Sequence, residues 1–311
     1  MKVDLRTYIV VSLWFGCNNA CSICMLADLK ERLPAIGLER YKEVLLDVVR
    51  QGHFKNLILS GAEVTTFDEL GAYVRFAHSL GWFKKIQVQT NGRRLSDLRY
   101  LEHLVACGVN EFFVSIHGLE ETHDKLTRRP GAFRETMQGL ANLEKFTGVH
   151  VITNTVVTKA NLPEIPALIT GLPKIVSEVH LWNLFPMESE DTRDLVVNLK
   201  DFIRLLPQIF SITSAHDRPL TLKGFPECLP VGDGGQTGLF DNCFPVTVLP
   251  DMFWEKFSRS GFGRCFYRPG CELKECWGLS NAYVGKYGDE RDLLHPVCLA
   301  HAARHDGGDA G

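Results

Sequence analysis

No stretch of this chain reaches the roughly 18 uninterrupted apolar residues that a membrane-spanning helix needs. There is no run of like charges either, and a net charge of -3 leaves no broad basic surface for nucleic acid or an anionic membrane. The start, Met1 to Arg6 before the apolar run Tyr8 to Phe15, lacks the small-x-small cleavage site of a secretory signal, and Asp4 interrupts its basic end. Trp14 and Phe15 stand where a lipid-anchor site before Cys17 carries smaller residues. Export and membrane attachment are therefore not expected, and the expected location is the cytoplasm. In that reducing compartment metal ligation accounts for ten cysteines better than disulfides do.

What the chain has is length and periodicity. Its 311 residues, 45% hydrophobic and 23% charged, allow one domain of about 200 to 250 residues and an appendage. From Asp4 to about Phe210, short β-branched runs alternate with longer amphipathic ones, the pattern of repeated strand–helix units. Six strands are expected, at Tyr8–Leu13, Asn56–Ser60, Ile86–Thr90, Phe112–Ile116, Val149–Val157 and Val179–Leu184. Helices are expected at Leu38–Arg50, Phe67–Leu80, Leu95–Cys107, Phe133–Phe146, Leu162–Leu172 and Leu195–Phe210. Right-handed crossovers between such units curl them into a partial (β/α)6 TIM-type barrel, an α/β fold whose ligands sit at the C-terminal ends of the strands. Residues 1–212 are expected to form this barrel, and 213–311 a small cysteine-rich C-terminal appendage. Within the latter, Gly232-Asp233-Gly234-Gly235 lacks the ending of a phosphate loop and reads as a plain loop, and Asp306–Gly311 reads as a disordered tail.

Cys17, Cys21 and Cys24 stand directly after the first strand as Cys-x3-Cys-x2-Cys. Three thiolates so close can hold three irons of one cubane cluster and leave the fourth iron open for a small molecule. Zinc is the rival. A structural zinc takes four ligands in two pairs, and no fourth Cys or His lies near Cys24, so the spacing favours the cluster.

This spacing, with Ile23 before the last cysteine, resembles the signature of the radical SAM superfamily, whose open iron chelates the amino and carboxylate groups of S-adenosylmethionine. The resemblance implies a [4Fe-4S] cluster on Cys17, Cys21 and Cys24, S-adenosylmethionine as cofactor, and flavodoxin or ferredoxin as electron donor. It also implies reductive cleavage to a 5'-deoxyadenosyl radical that abstracts hydrogen from a substrate. After the second strand, Ser60-Gly61-Ala62-Glu63-Val64 is similar to the family's Gly-Gly-Glu-Pro stretch, with Ala62 in place of a glycine and Val64 in place of the proline. The resemblance makes Glu63 a partner of the methionine ammonium, which can only donate; taken alone, a Glu in such a turn is expected to be exposed. Thr90-Asn91-Gly92 is similar to the family's Thr-Asn-Gly turn, although Asn-Gly is also an ordinary turn dipeptide.

Ser115-Ile116-His117-Gly118 resembles the family's ending of the fourth strand, which implies Ser115 near the cofactor's ribose or carboxylate and His117 facing the active site. Arg128 and Arg129 follow in a segment similar to the family's next loop and helix, and either hold an anionic substrate group or form a solvated pair. Asn154 on the fifth strand, and Leu184 within Trp182–Pro186 on the sixth, occupy positions where family members touch ribose and adenine; Trp182 and Phe185 suit the core equally well.

Cys228, Cys265, Cys271 and Cys276, with Trp277-Gly278 and Tyr287-Gly288 behind them, resemble the auxiliary-cluster appendage of the SPASM and Twitch subgroups. The usual Cys-x2-Cys-x5-Cys is replaced by Cys265-x5-Cys271-x4-Cys276. The resemblance implies one auxiliary [4Fe-4S] cluster on these four, with Cys243 and Cys298 as spare ligands and zinc as the alternative metal. Cys107, at a helix end, reads as a small buried residue.

The substrate expected is a small polar molecule, since no additional N-terminal domain for gripping a leader peptide is recognised and the appendage is small for two clusters. Among short members of the family, the chain looks most like enzymes of nucleoside-antibiotic pathways such as cytosylglucuronate decarboxylase, in which hydrogen abstraction from a sugar triggers loss of a carboxylate. His117, Arg128, Arg129 and Glu188 are then the candidate sugar or carboxylate contacts. Peptide crosslinking or epimerisation is the rival reaction. The rival outside enzymes is an iron–sulfur or zinc protein that senses redox state or binds a partner.

Overall fold

A computed structural model describes residues 3–29, 33–231, 239–257 and 261–297. The stretch Gly232 to Gly235, Cys298 and the tail Asp306 to Gly311 lie outside the described residues. Strands β1 (Tyr8–Trp14), β2 (Asn56–Gly61), β3 (Lys85–Thr90), β4 (Glu111–Ser115), β5 (His150–Val157) and β6 (Val176–Asn183) are the six expected ones. Two more, β7 (Leu220–Lys223) and β8 (Val246–Val248), complete a sheet in the order β7-β6-β5-β4-β3-β2-β1-β8. Every neighbouring pair is parallel. The curl is open, with β7 and β8 as its edges.

Helices α1 (Leu38–Gln51), α2 (Leu70–Ser79) and α3 (Leu98–Cys107) follow β1, β2 and β3. Two helices, α4 (Glu120–Thr127) and α5 (Ala132–Leu143), follow β4, and α6 (Ile165–Gly171) and α7 (Leu199–Ala215) follow β5 and β6. Short α8 (Phe253–Lys256) and α9 (Asn281–Tyr287) come after the sheet. The start of α3 shows how local sequence sets a boundary: the Asp97 carboxylate accepts from the amides of Arg99 and Tyr100, a cap worth about 1 kcal/mol.

Strand alternation divides the core in two. Val11, Leu57, Leu59, Val88 and Val114 face outward into the helices, whereas Val10, Ile58, Phe113 and Ile152 face into the barrel and form a separate cluster with Val3, Leu5 and Tyr8. Below that inner cluster the barrel is polar, because Glu111, buried to 1% exposure, accepts from Tyr8, Gln87 and His150. The outer strands β7 and β8 escape the six-unit reading because they are short, and β8 is largely exposed. Helix α7 runs across the expected boundary at 212, and the segment after it supplies both sheet edges. No helix among the described residues is long and apolar enough to cross a membrane.

Candidate active site

The cysteine loop is held from three sides. At the end of β2, Gly61 adopts φ 142° and approaches β1 so closely that a Cβ there would overlap the Trp14 carbonyl oxygen. Only glycine tolerates this. The next two amides, of Ala62 and Glu63, donate to Trp14 O (2.8 Å) and Gly16 O (3.0 Å), which ties β2 to the base of the loop. On the far side, the amides of Ala20 and Ser22 donate to Thr127 O (3.1 Å) and Leu126 O (2.8 Å) at the end of α4. Arg93 bridges the third side: it is 7% exposed and donates to Asn18 O (2.7 Å), Asn19 Oδ1 (2.8 Å) and Glu135 (2.5 Å). Asn91 assists through Nδ2, which donates to Asn18 Oδ1 at 2.7 Å. The family motifs did not single out Arg93; its position just after Asn91-Gly92 is the one signal the sequence offers.

Cys17, Cys21 and Cys24 are partly buried and line one wall of a cavity of about 230 Å³ at the C-terminal ends of the strands. Gly61, Ala62, Glu63, Asn91, Ser115, His117 and Asn154 line its other walls, together with His123, Phe113 and Trp182. Ser60 lies behind the wall with its hydroxyl 3.4 Å from that of Ser12. Leu184 and Glu188 do not line this cavity but border an adjoining hollow of about 30 Å³ that shares Ile23 and Phe185 with it, in which exposed Glu188 meets Thr192 and Arg193. Arg128 and Arg129 are exposed beyond the C-terminus of α4 and do not line the cavity.

Glu63 is 1% exposed rather than at the surface. Burial raises its pKa, while hydrogen bonds from the Asn91 amide (2.6 Å), Thr65 and Thr90 pull in the opposite direction. The carboxylate therefore also braces the Asn91 turn against the cysteine loop. His117 and His123 stack beside the same cavity, and burial holds them at about 3 and about 4, so both are neutral near neutral pH.

These residues fit the implied cofactors. The loop presents thiols, the ligand type of iron–sulfur clusters, and three of them leave one cubane iron without a protein ligand. Among the described residues no three His, Cys, Asp or Glu side chains converge on a single ion; the three thiols share a wall instead. On the cavity's β5 side, Asn154 is 5% exposed and its Oδ1 has no partner among the described residues, an acceptor that a bound molecule's donor would satisfy.

In the C-terminal segment, burial pushes the Cys228 and Cys276 thiols up and the neighbouring Cys265 adds to both, so these three lie near one another. Cys271 follows a turn at Arg268–Gly270, and Cys243, beside Lys223 and Arg6, borders an open cleft together with Cys276. Cys107 is buried, with its sulfur 3.0 Å from an Arg75 nitrogen.

The profile described as "Radical SAM superfamily" matches residues 11–170, more than half of the 311. The chain belongs to the radical SAM superfamily. It is 34% identical over 196 residues to the AdoMet-dependent heme synthase of Methanosarcina barkeri, covering 61% of this chain and 54% of that protein. Against the Fe-coproporphyrin III synthase of the same organism it is 24% identical over a 335-residue alignment, covering 97% of this chain and 80% of that protein. Streptococcus suis SuiB bound to its precursor peptide SuiA superposes with a TM-score of 0.56 at 16% identity, over 69% of this chain and 48% of SuiB, a likeness of fold alone. The radical SAM enzymes share a [4Fe-4S] cluster and S-adenosylmethionine, and solved neighbours with bound S-adenosylmethionine have this barrel.

Proposed function

We propose that the chain removes a hydrogen atom from a small, carboxylate-bearing organic substrate, with decarboxylation of a sugar nucleoside such as cytosylglucuronic acid as the concrete reaction. The observation that carries the reading is the meeting of Cys17, Cys21 and Cys24 with buried Glu63 and the unpartnered Asn154 oxygen around one cavity. When bound there, the cluster and S-adenosylmethionine supply a carbon radical able to abstract an unactivated hydrogen. The chain's own residues do the rest. Glu63 and Asn154 hold polar groups of the cofactor, Phe113 and Trp182 keep water from the reacting centre, and His117 offers an uncharged polar contact to cofactor or substrate. Cys228, Cys265, Cys271 and Cys276 are proposed to hold an auxiliary [4Fe-4S] cluster, and flavodoxin or ferredoxin to donate the electron.

A second reading is a larger planar substrate of the kind named in the heme synthase and Fe-coproporphyrin III synthase. An open cleft of about 570 Å³, walled by Phe185, Phe244, Phe262 and Trp277 and bearing Arg268 and Lys274, supports it; Phe185 borders both this cleft and the cavity. The test is anaerobic reconstitution with iron and sulfide, reduction, and incubation with S-adenosylmethionine plus either cytosylglucuronic acid or Fe-coproporphyrin III. Release of 5'-deoxyadenosine together with carbon dioxide from one of them is expected. No 5'-deoxyadenosine under any condition refutes the reading, and its release with neither substrate altered refutes both substrates.

A further inference from the structure

Inside the barrel lies a lysine that the site described above does not use. Lys223, the last residue of β7, is 4% exposed and shares the inward face with Thr221, whose hydroxyl donates to Glu178 at 3.3 Å. Its Nζ donates to two backbone carbonyls, Cys243 O at 2.5 Å and Asp241 O at 3.4 Å, and no carboxylate among the described residues comes within ion-pair distance of it. Trp182, Phe244 and Trp277 surround the ammonium with ring centroids at 5.6, 5.9 and 5.7 Å. Ring faces and carbonyls offset part of the cost of burying a cation, and Asp241 and Glu275 attract it from beyond ion-pair distance, but a third N–H remains and no carboxylate among the described residues meets the ammonium directly.

Beside Lys223 is a hollow of about 40 Å³ whose walls are mostly apolar, with Val3, Leu5, Ile58 and Phe113 among them, and to which Gln89, His180 and Trp182 add polar atoms. Gln89, Phe113 and Trp182 also line the main cavity, so the two spaces adjoin. At this boundary Trp182 Nε1, which can only donate, is buried without a partner. A strut tying residues 241–243 to β7 would need the two carbonyl bonds alone; it explains neither the hollow nor the unpartnered indole N–H. The hollow is the size of a few water molecules or one carboxylate.

We infer that Lys223 and the Trp182 N–H receive a carboxylate of the substrate at the base of the cavity, with Lys223 as its counter-ion. This rests on the proposed radical reaction and names the group by which that reaction's substrate is held. It also gives the carboxylate a place that exposed Arg128 and Arg129 do not.

The test is thermal unfolding of the reconstituted protein with S-adenosylmethionine, in the presence of glucuronate, cytosylglucuronic acid or coproporphyrin III, each beside its methyl ester. At least one acid should raise the wild-type midpoint while its ester does not. Lys223→Met should weaken that acid's binding by about tenfold or more, and Lys223→Arg should retain part of it. Trp182→Phe keeps the ring and removes only the donor; its acid response should also weaken, and it supplies the reading should Lys223→Met fail to fold. The inference is overturned if no acid stabilises the wild type, if acid and ester act alike, or if the foldable variants respond as the wild type does. Formation of 5'-deoxyadenosine by the wild type in the same preparations separates the two claims. Retained cleavage without an acid response removes only the carboxylate site, whereas absent cleavage removes the radical reading beneath it.

Discussion

The backbone amide of His117 donates to Nδ1 of His123 at 2.9 Å, and the two imidazole rings lie stacked with centroids 5.9 Å apart. His117 Nδ1 in turn accepts the Val156 amide at 3.2 Å. A backbone N–H on Nδ1 leaves the ring proton on Nε2, so both histidines are locked in one neutral tautomer. Burial, the main cause, holds their pKa values at about 3 and about 4, below the ordinary 6.5. The unfolded chain therefore binds more protons than the folded one between those values and 6.5, and stability falls as pH drops through that window. Unfolding midpoints measured from pH 7 to pH 4 should decline, and His123→Phe should flatten the decline. A wild-type midpoint that stays level, or rises, over this range counts against the pair being neutral.

The three loop cysteines should be indispensable and not interchangeable with the later ones. Cys17→Ala, Cys21→Ala and Cys24→Ala are each expected to reduce 5'-deoxyadenosine formation to background, because each removes the ligand of one iron. Cys271→Ala should instead impair substrate turnover or folding more than cofactor cleavage. Chromatographic assay of 5'-deoxyadenosine from reduced, reconstituted variants distinguishes the two patterns.

Gly61→Ala should disable the site without touching a reactive group. A Cβ at this position meets the Trp14 carbonyl oxygen, and φ 142° is itself unfavourable for alanine. The strand ends must separate, at a cost of about 1–3 kcal/mol and with loss of the two amide bonds that anchor the cysteine loop. Isothermal titration with S-adenosylmethionine should show weakened binding, while circular dichroism shows the barrel retained. Wild-type affinity in this variant would mean that the loop is anchored elsewhere.

Glu111 should be a stability residue and not a functional one. Burial alone would raise its pKa, but hydrogen bonds from His150 (2.9 Å), Tyr8 (2.8 Å) and Gln87 (2.7 Å) outweigh that and hold the carboxyl below its usual range. Its contribution is therefore present above the ordinary carboxylate pKa and is lost as pH falls through the lower folded value. Glu111→Ala leaves the buried donors of Tyr8 and Gln87 and the half-buried His150 unpaired and should cost about 3–5 kcal/mol in urea unfolding, with Glu111→Gln milder. Equal stability of wild type and Glu111→Ala would show the network to be slack.

Much of the barrel was legible because its signals are local. The short apolar runs of Asn56–Gly61 and Glu111–Ser115 and the caps around α3 are written within a few residues of where they act. β8 was not legible: a three-residue strand with exposed side chains carries no periodicity, and it exists because β1 offers a free edge to pair with. Helix α4 lay in a segment read as loop and helix, since apart from Leu126 it has almost no apolar face to reveal it.

The sequence by itself determined that three thiols follow the first strand at a spacing suited to one cluster, and that repeated strand–helix units would bring their C-terminal ends together. Both are short-range properties, set by spacing and by the two periods of secondary structure. Only the tertiary structure decided that Glu63 is buried beneath the Asn91 turn, that Arg93 holds the cysteine loop, and that Lys223 enters the barrel with backbone carbonyls and no carboxylate in direct contact among the described residues. Each depends on strands far apart in the chain closing around a common interior, where burial turns an ordinary polar side chain into one that must find a partner.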